Sequence, residues 1–189
     1  GPRDNFDPES SHVIPALIKK FVEAKDLGNS EIDVWGTGKA TRDFIYVSDA
    51  AEGIVTAMER YNGPAPVNLG SGMEISISDL ANMIKTAVGS DAKIKFDSSK
   101  PDGQPRRSLD TSLAQKEFGF VAKTNFTEGI KETVNWYLKN RWFNTMSNTQ
   151  ILIFSKDRTL QLNSLIQSLL YFSDVSEDDI SVLFKSNKE

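Results

Sequence analysis

The chain has 189 residues, 39% of them hydrophobic, and a net charge of −4. That much apolar material builds a core and excludes a disordered chain, while the mild negative charge argues against a nucleic-acid surface. Cysteine is absent, which excludes disulfides and thiolate metal sites, and no apolar run approaches the ~20 residues that span a bilayer. No signal peptide is visible, so a cytoplasmic protein is expected, and no metal site is read.

Residues 1–11 read as a polar loop. A helix is expected from there to about Lys25, with Val13, Leu17, Phe21 and Ala24 on one face, Ser10 or Ser11 as its cap and Pro15 in its first turn. "EIDVW" alternates like a strand. "GTGKATRD" is a glycine-bearing loop, and "FIYV" is a second short strand-like run. Ser48 and Asp49 open a helix whose Ile54, Ala57, Met58 and Tyr61 form one stripe. "PVNLGSG" reads as a strand entering a turn. Ser78 caps a helix that Gly89 ends. "KIKF" is a strand, "DSSKPDGQPRRS" a long loop, and "DTSLAQKEFGF" a short helix stopped by glycine. A last amphipathic helix, "NFTEGIKETVNWYLKNRWF", places Ile130, Val134 and Tyr137 inward. The two inward stripes, with Met58, Met83 and Trp136, are the expected core.

Small polar residues at 143–149 suggest a linker. Residues 150–189 then read as the start of a β-α-β unit: "ILIFS", a helix, and "EDDISVLFKSN". Some forty residues are few for an independent core, so this piece reads as the truncated opening of a second domain. The expected fold is α/β.

Three places carry chemistry. His12, the single histidine, stands at a helix start, where it is either a surface cap or a general acid–base group. Trp35 ends a strand before a glycine loop bearing Lys39 and Arg42. A ring to stack on and cations for phosphate suit a nucleotide, though a packing tryptophan beside a solvated loop explains the same letters. "SKPDGQPRR" gathers Lys100, Asp102, Arg106 and Arg107, either a phosphate- and sugar-binding loop or a solvated one.

"GPRDNFDPESSHVIPALIKKF", "VWGTGKATRDFIYVSDAA", "VNLGSGMEISISDLA" and "FDSSKPDGQPRRSLD" together resemble the GDP-L-fucose synthases, extended short-chain dehydrogenase/reductases of the NAD-dependent epimerase/dehydratase kind. The likeness runs from Gly1 to about Arg141, so the opening Gly-Pro reads as native. The resemblance implies a Rossmann-type enzyme whose C-terminal, substrate-binding part is residues 1–142. The glycine-rich phosphate loop, the Tyr-x-x-x-Lys pair and the family's epimerisation cysteine lie outside this chain. NADP is therefore expected to be bound mainly by the preceding part, with no cofactor-binding residue in this chain beyond the proximity of His12. His12 matches the family's epimerisation acid; Lys20, Trp35, Arg42 and Asp102 match its substrate contacts. Lysine at 20 keeps the charge of the family's alternative arginine but loses its fork.

The implied activity of the complete enzyme is conversion of GDP-4-keto-6-deoxymannose to GDP-L-fucose, with a GDP-sugar as partner and a homodimer at full length. The chain alone is expected to be inactive. Two rival readings are another nucleotide-sugar epimerase or dehydratase of the superfamily, and a non-catalytic sugar-binding module. Residues 150–189 resemble the start of a GT-A glycosyltransferase.

Overall fold

A computed structural model describes residues 1–144, 151–155 and 180–184. The chain divides into two units, Gly1–Tyr137 and Leu138–Glu189.

Helix α1 (Val13–Leu27) buries the expected apolar face, and Gly28 ends it at φ +68°. Pro15 is buried in the first turn, where its missing N–H costs nothing. The N-cap is His12, without a side-chain cap bond, rather than Ser10 or Ser11. Ser10 is spent on the preceding turn: its hydroxyl donates to Asp7 and accepts from Asn5 Nδ2.

Strand β1 (Glu31–Trp35) pairs in parallel with β4 (Lys93–Asp97), Trp35 opposite Asp97. Helix α1 packs on β1 and on α3 (Ile77–Val88). Phe21, Ile18, Leu80 and Ile84 are fully buried, each contributing about 1.5–3 kcal/mol of apolar burial. Ser76, not Ser78, caps α3 by accepting from the Asp79 amide; Gly89 ends the helix as expected. Lys25 Nζ donates to the Val88 carbonyl at 2.9 Å, satisfying an acceptor that the helix end leaves open.

A second sheet has β2 (Thr41–Asp43) between β3 (Glu74–Ser76, antiparallel) and β5 (Arg106–Arg107, parallel). The expected strand "FIYV" is not formed. Pairing stops at Asp43, Phe44–Tyr46 has no ladder among the described residues, and Val47 opens α2 (Val47–Arg60). Propensity without a neighbour to bond is not a strand. The strand expected in "PVNLGSG" fails for the same reason, and Val67 and Leu69 pack instead on Ala114, Phe118 and Phe120.

The stripe read on α2, whose Met58 was expected in the core, splits. Ala57 and Tyr61 join the Phe118 cluster, but Ile54 and Met58 are 56% and 81% exposed. The buried face carries Asp49 and Gly53, because Phe120 approaches to 2.9 Å of where a Cβ on Gly53 would stand. The Asp49 carboxylate accepts from the Thr124 amide at 3.0 Å.

Helix α4 (Ser112–Phe118) ends at Gly119 as expected. Helix α5 (Phe126–Asn144) buries Ile130, Val134 and Tyr137 and includes residues 143 and 144, which were expected in the linker. Phe6 stacks on Tyr137 at 4.4 Å and on half-buried Trp136 at 6.0 Å, tying the opening loop to α5. Met83 is also half-buried.

Tyr46 lies against Gly129 of α5, where a Cβ would stand 2.9 Å from its ring. Its hydroxyl donates to Glu132 at 2.6 Å. Burial, and then this bond to Glu132, pushes the phenol up to about 12. A raised folded pKa means that the stabilisation is complete below pH 10.0 and fades as pH rises through about 12. An alkaline absorbance titration is expected to show one tyrosine ionising near pH 12, absent in Tyr46→Phe.

In the second unit, β6 (Ile151–Ser155) pairs in parallel with β7 (Ile180–Phe184), Ile151 opposite Ile180. The helix expected between them and residues 145–149 of the expected linker lie outside the described residues.

Candidate functional site

The carboxyl ends of β1 and β4 lie side by side, and two loops leave from them. The Gly36 amide donates to the Asp97 carbonyl at 2.9 Å, as does that of Lys100 at 3.1 Å. Ser99 donates through amide and hydroxyl to the Asp97 carboxylate, turning the second loop back over the first. In open α/β sheets this end of the strands is where ligands bind.

The two loops are latched by Asp102. Its carboxylate accepts from the Thr37 amide at 2.6 Å and the Thr37 hydroxyl at 2.7 Å. Those two bonds, the hydroxyl's first, hold the carboxyl below the usual aspartate range, with Lys39 and Arg42 adding smaller attractions. The latch requires glycine at 36: φ is +83°, and a Cβ would collide with Asp102 Oδ1.

Arg42 clasps the same loop from β2. Its Nη1 donates to the carbonyls of Thr41 and Gln104, each at 2.7 Å, and its Nη2 to the Asp102 carbonyl at 3.4 Å. Trp35, 67% exposed, ends β1 immediately before the glycine turn that Asp102 latches, with Lys100 Nζ 5.6 Å from its ring centroid. Three of the five predicted residues, Trp35, Arg42 and Asp102, are thus brought together.

Lys20 reaches the same strand from α1 and donates to the Asp33 carbonyl at 2.8 Å. The short turn after α1 sends β1 back along the helix. The helix therefore rises from Lys20 to exposed His12, about 12 Å away, in the direction in which β1 runs toward Trp35. His12 lies toward the same end as Trp35 without being bonded into the latch.

Register separates the two arginines that the sequence leaves equivalent. Arg107 is opposite Arg42, so both project from one face of the sheet. Arg106 is opposite Thr41, on the other face, and makes a forked ion pair with Glu74 at 2.8 Å. Thr41 donates its hydroxyl to the same carboxylate. Arg107 and Lys39 are exposed and form no ion pair with another described residue. Thr37 is the member that sequence reasoning missed, with only its glycine flanks as a signal; Arg107 was a candidate together with Arg106, and the pairing of β5 with β2 is what tells the two apart.

These residues do not fit a dinucleotide. A pyrophosphate cradle needs free amides at a glycine turn that opens a helix. Here the Thr37 amide is spent on Asp102, and those of Ser71 and Gly72 on Asp43 at 3.0 and 3.2 Å. Gly28, Gly89 and Gly119 close helices rather than open them.

A cavity of about 250 Å³ lies elsewhere in the first unit, among Gly1, Phe44, Tyr46, Ser71, Phe126 and Ile130. None of the five predicted residues lines it. Among the described residues, no helix is long and apolar enough to cross a membrane, and no cluster of His, Asp or Glu could hold a metal ion.

A family model, the NAD dependent epimerase/dehydratase family, matches residues 1–70. The probable GDP-L-fucose synthase 1 of Oryza sativa subsp. japonica is 48% identical over 140 residues, 74% of this chain and 42% of that protein. The GDP-L-fucose synthase of Escherichia coli is 35% identical over 150 residues, 75% of this chain and 46% of that one. Among solved structures, a GDP-L-fucose synthetase from Naegleria fowleri bound to NADP superposes with a TM-score of 0.71. It is 35% identical over 75% of this chain and 44% of its own. The chain spans less than half the length of the curated relatives it matches.

Proposed function

From the premise that the chain belongs to the NAD-dependent epimerase/dehydratase family, we propose that it carries the nucleotide-sugar half of a GDP-L-fucose synthase. The observation that carries this reading is the latch: Trp35, Arg42 and Asp102 converge at the carboxyl ends of two parallel strands. The complete enzyme would epimerise GDP-4-keto-6-deoxymannose and reduce it to GDP-L-fucose.

In this reading the Trp35 ring stacks on the base. Arg42 and Arg107, sharing a sheet face, hold the diphosphate with Lys39 and Lys100. Asp102 and Thr37 fix the loop that follows Trp35. His12 serves epimerisation next to the ketone: a base takes the C–H proton, the electron pair enters the enolate, and the imidazolium returns a proton to carbon on the other face. Reduction at C4 calls for NADPH, for which the described residues offer no cradle. The chain alone therefore binds but does not turn over. The Naegleria relative with NADP supports a dinucleotide elsewhere in such enzymes.

Cytoplasmic location and a full-length homodimer belong to the same proposal. The parallel pairing of β6 with β7 supports a β-α-β opening in residues 150–189, of the kind that begins a GT-A glycosyltransferase.

Titrating GDP into the chain is expected to quench the part of the tryptophan fluorescence that Trp35→Phe removes, with UDP much weaker. Absence of quenching at millimolar GDP sinks the reading.

A further inference from the structure

Strand β5 is two residues long and, among the described residues, lies at the edge of its sheet, so its ladder with β2 supplies few bonds to hold it. Yet it carries Arg107, the exposed cation that shares a face with Arg42. Directly before it stands Arg106, a second arginine turned to the reverse face, for which the diphosphate has no use. The contacts on that reverse face give Arg106 a different task.

Glu74 on β3 lies opposite Asp43, and the register places Glu74, Thr41 and Arg106 on one face. The Arg106 side chain reaches across β2 to β3, two strand spacings or about 10 Å. Its Nε donates to both carboxylate oxygens of Glu74 at 2.9 Å, and its Nη2 donates to one of them at 2.8 Å. The Thr41 hydroxyl donates to the same carboxylate. One carboxylate therefore ties all three strands through side chains, where the backbone ties β5 to β2 alone. Isolated exposed ion pairs hold little, but a forked arginine–carboxylate pair inside a network is the exception. The bonds from Arg106, and then that from Thr41, hold the Glu74 carboxyl below the ordinary glutamate range, so it stays charged near neutrality.

We propose that Glu74 is a positioning residue of the diphosphate site: by gripping Arg106 on the reverse face it fastens β5 to the sheet and so presents Arg107 beside Arg42. The inference rests on the reading of Arg42 and Arg107 as the diphosphate holders. Glu74 itself faces away from the ligand, and its charge is offset by Arg106, so it does not repel the phosphates. Its removal acts through Arg107. The cation then moves with a strand held only by its short ladder and by the bond from the Thr41 amide to the Pro105 carbonyl at 2.9 Å. Guanosine, which lacks the phosphates, is indifferent to the change.

The test titrates GDP and guanosine into the full 189-residue chain and into Glu74→Gln, Arg107→Ala and the double variant, read by Trp35 quenching. Glu74→Gln is expected to weaken GDP binding at least about threefold, to leave guanosine binding unchanged, and to speed amide exchange at residues 106 and 107. Arg107→Ala should weaken GDP binding more. Adding Glu74→Gln to it should then cost nothing further, since the first change has removed the cation that the second misplaces. If Glu74→Gln does not fold, Arg106→Lys, which keeps the charge and loses the fork, takes its place in the same comparison. A loss of GDP affinity in Arg107→Ala but not in Glu74→Gln overturns the proposal alone. So do additive losses, and so does tighter GDP binding by Glu74→Gln, which would make Arg106 a phosphate ligand that Glu74 withholds. A wild-type chain that does not bind GDP, or an Arg107→Ala variant that binds it undiminished, overturns the diphosphate reading and the role of Glu74 with it.

Discussion

Asp102→Ala is expected to weaken GDP binding at least about tenfold while leaving the melting temperature little changed. The carboxylate accepts from both the amide and the hydroxyl of Thr37. Without it, the glycine turn before Thr37 loses its tether, and the loop whose carbonyls Arg42 holds is free to shift. Asp102 is then a positioning residue, and Thr37→Val should reproduce most of the loss. The double variant should lose little more than either single one, since both remove one interaction. A direct ligand contact by Asp102 predicts additive losses instead. Calorimetric titration of the four proteins decides between them. The depressed carboxyl also sets a pH sign. The latch is complete above the ordinary aspartate value of 3.8 and is lost as pH falls through its lower folded value. Trp35 emission should therefore be flat near neutrality and change only in acid.

Phe21→Ala is expected to cost about 3–5 kcal/mol, a large share of the ~5–15 kcal/mol of a typical domain. Phe21 is fully buried on α1, in the core that α1 forms with β1 and α3. Urea denaturation followed by far-ultraviolet dichroism measures it. The same helix carries Lys20 and begins at His12, so GDP binding should fall with the unfolding of α1 rather than independently of it. Met58→Ala is the control. It was expected in the core, but at 81% exposure it should change stability by less than about 0.5 kcal/mol. A large cost there would mean that the α2 stripe is covered within this chain.

Much of the fold was legible because local signals decide it. Spacing of apolar residues predicted α1 and α5, cap and glycine signals predicted α3 and α4, and glycines at 28, 89 and 119 end helices with positive φ. The strands β1 and β4 follow from alternation. The errors share one cause. "FIYV" and "PVNLG" have strand composition but no ladder, because pairing depends on a neighbour distant in sequence. Met58 and Ile54 have core composition but face outward, because α2 carries two candidate faces and the packing of Phe120 against Gly53 chooses between them.

For the site, the sequence by itself determined the residue types: one histidine, a tryptophan at a strand end, and a loop of glycine, lysine, aspartate and arginine. It also carried the resemblance that gives them roles. Only the tertiary structure decided that Asp102 turns its carboxylate to Thr37, that Arg42 holds the same loop by its carbonyls, and that Arg107 rather than Arg106 shares a face with Arg42. The reason is physical. Side-chain type is local, whereas the partner of a hydrogen bond between residues 65 apart is chosen by strand register and by which loops leave neighbouring strand ends.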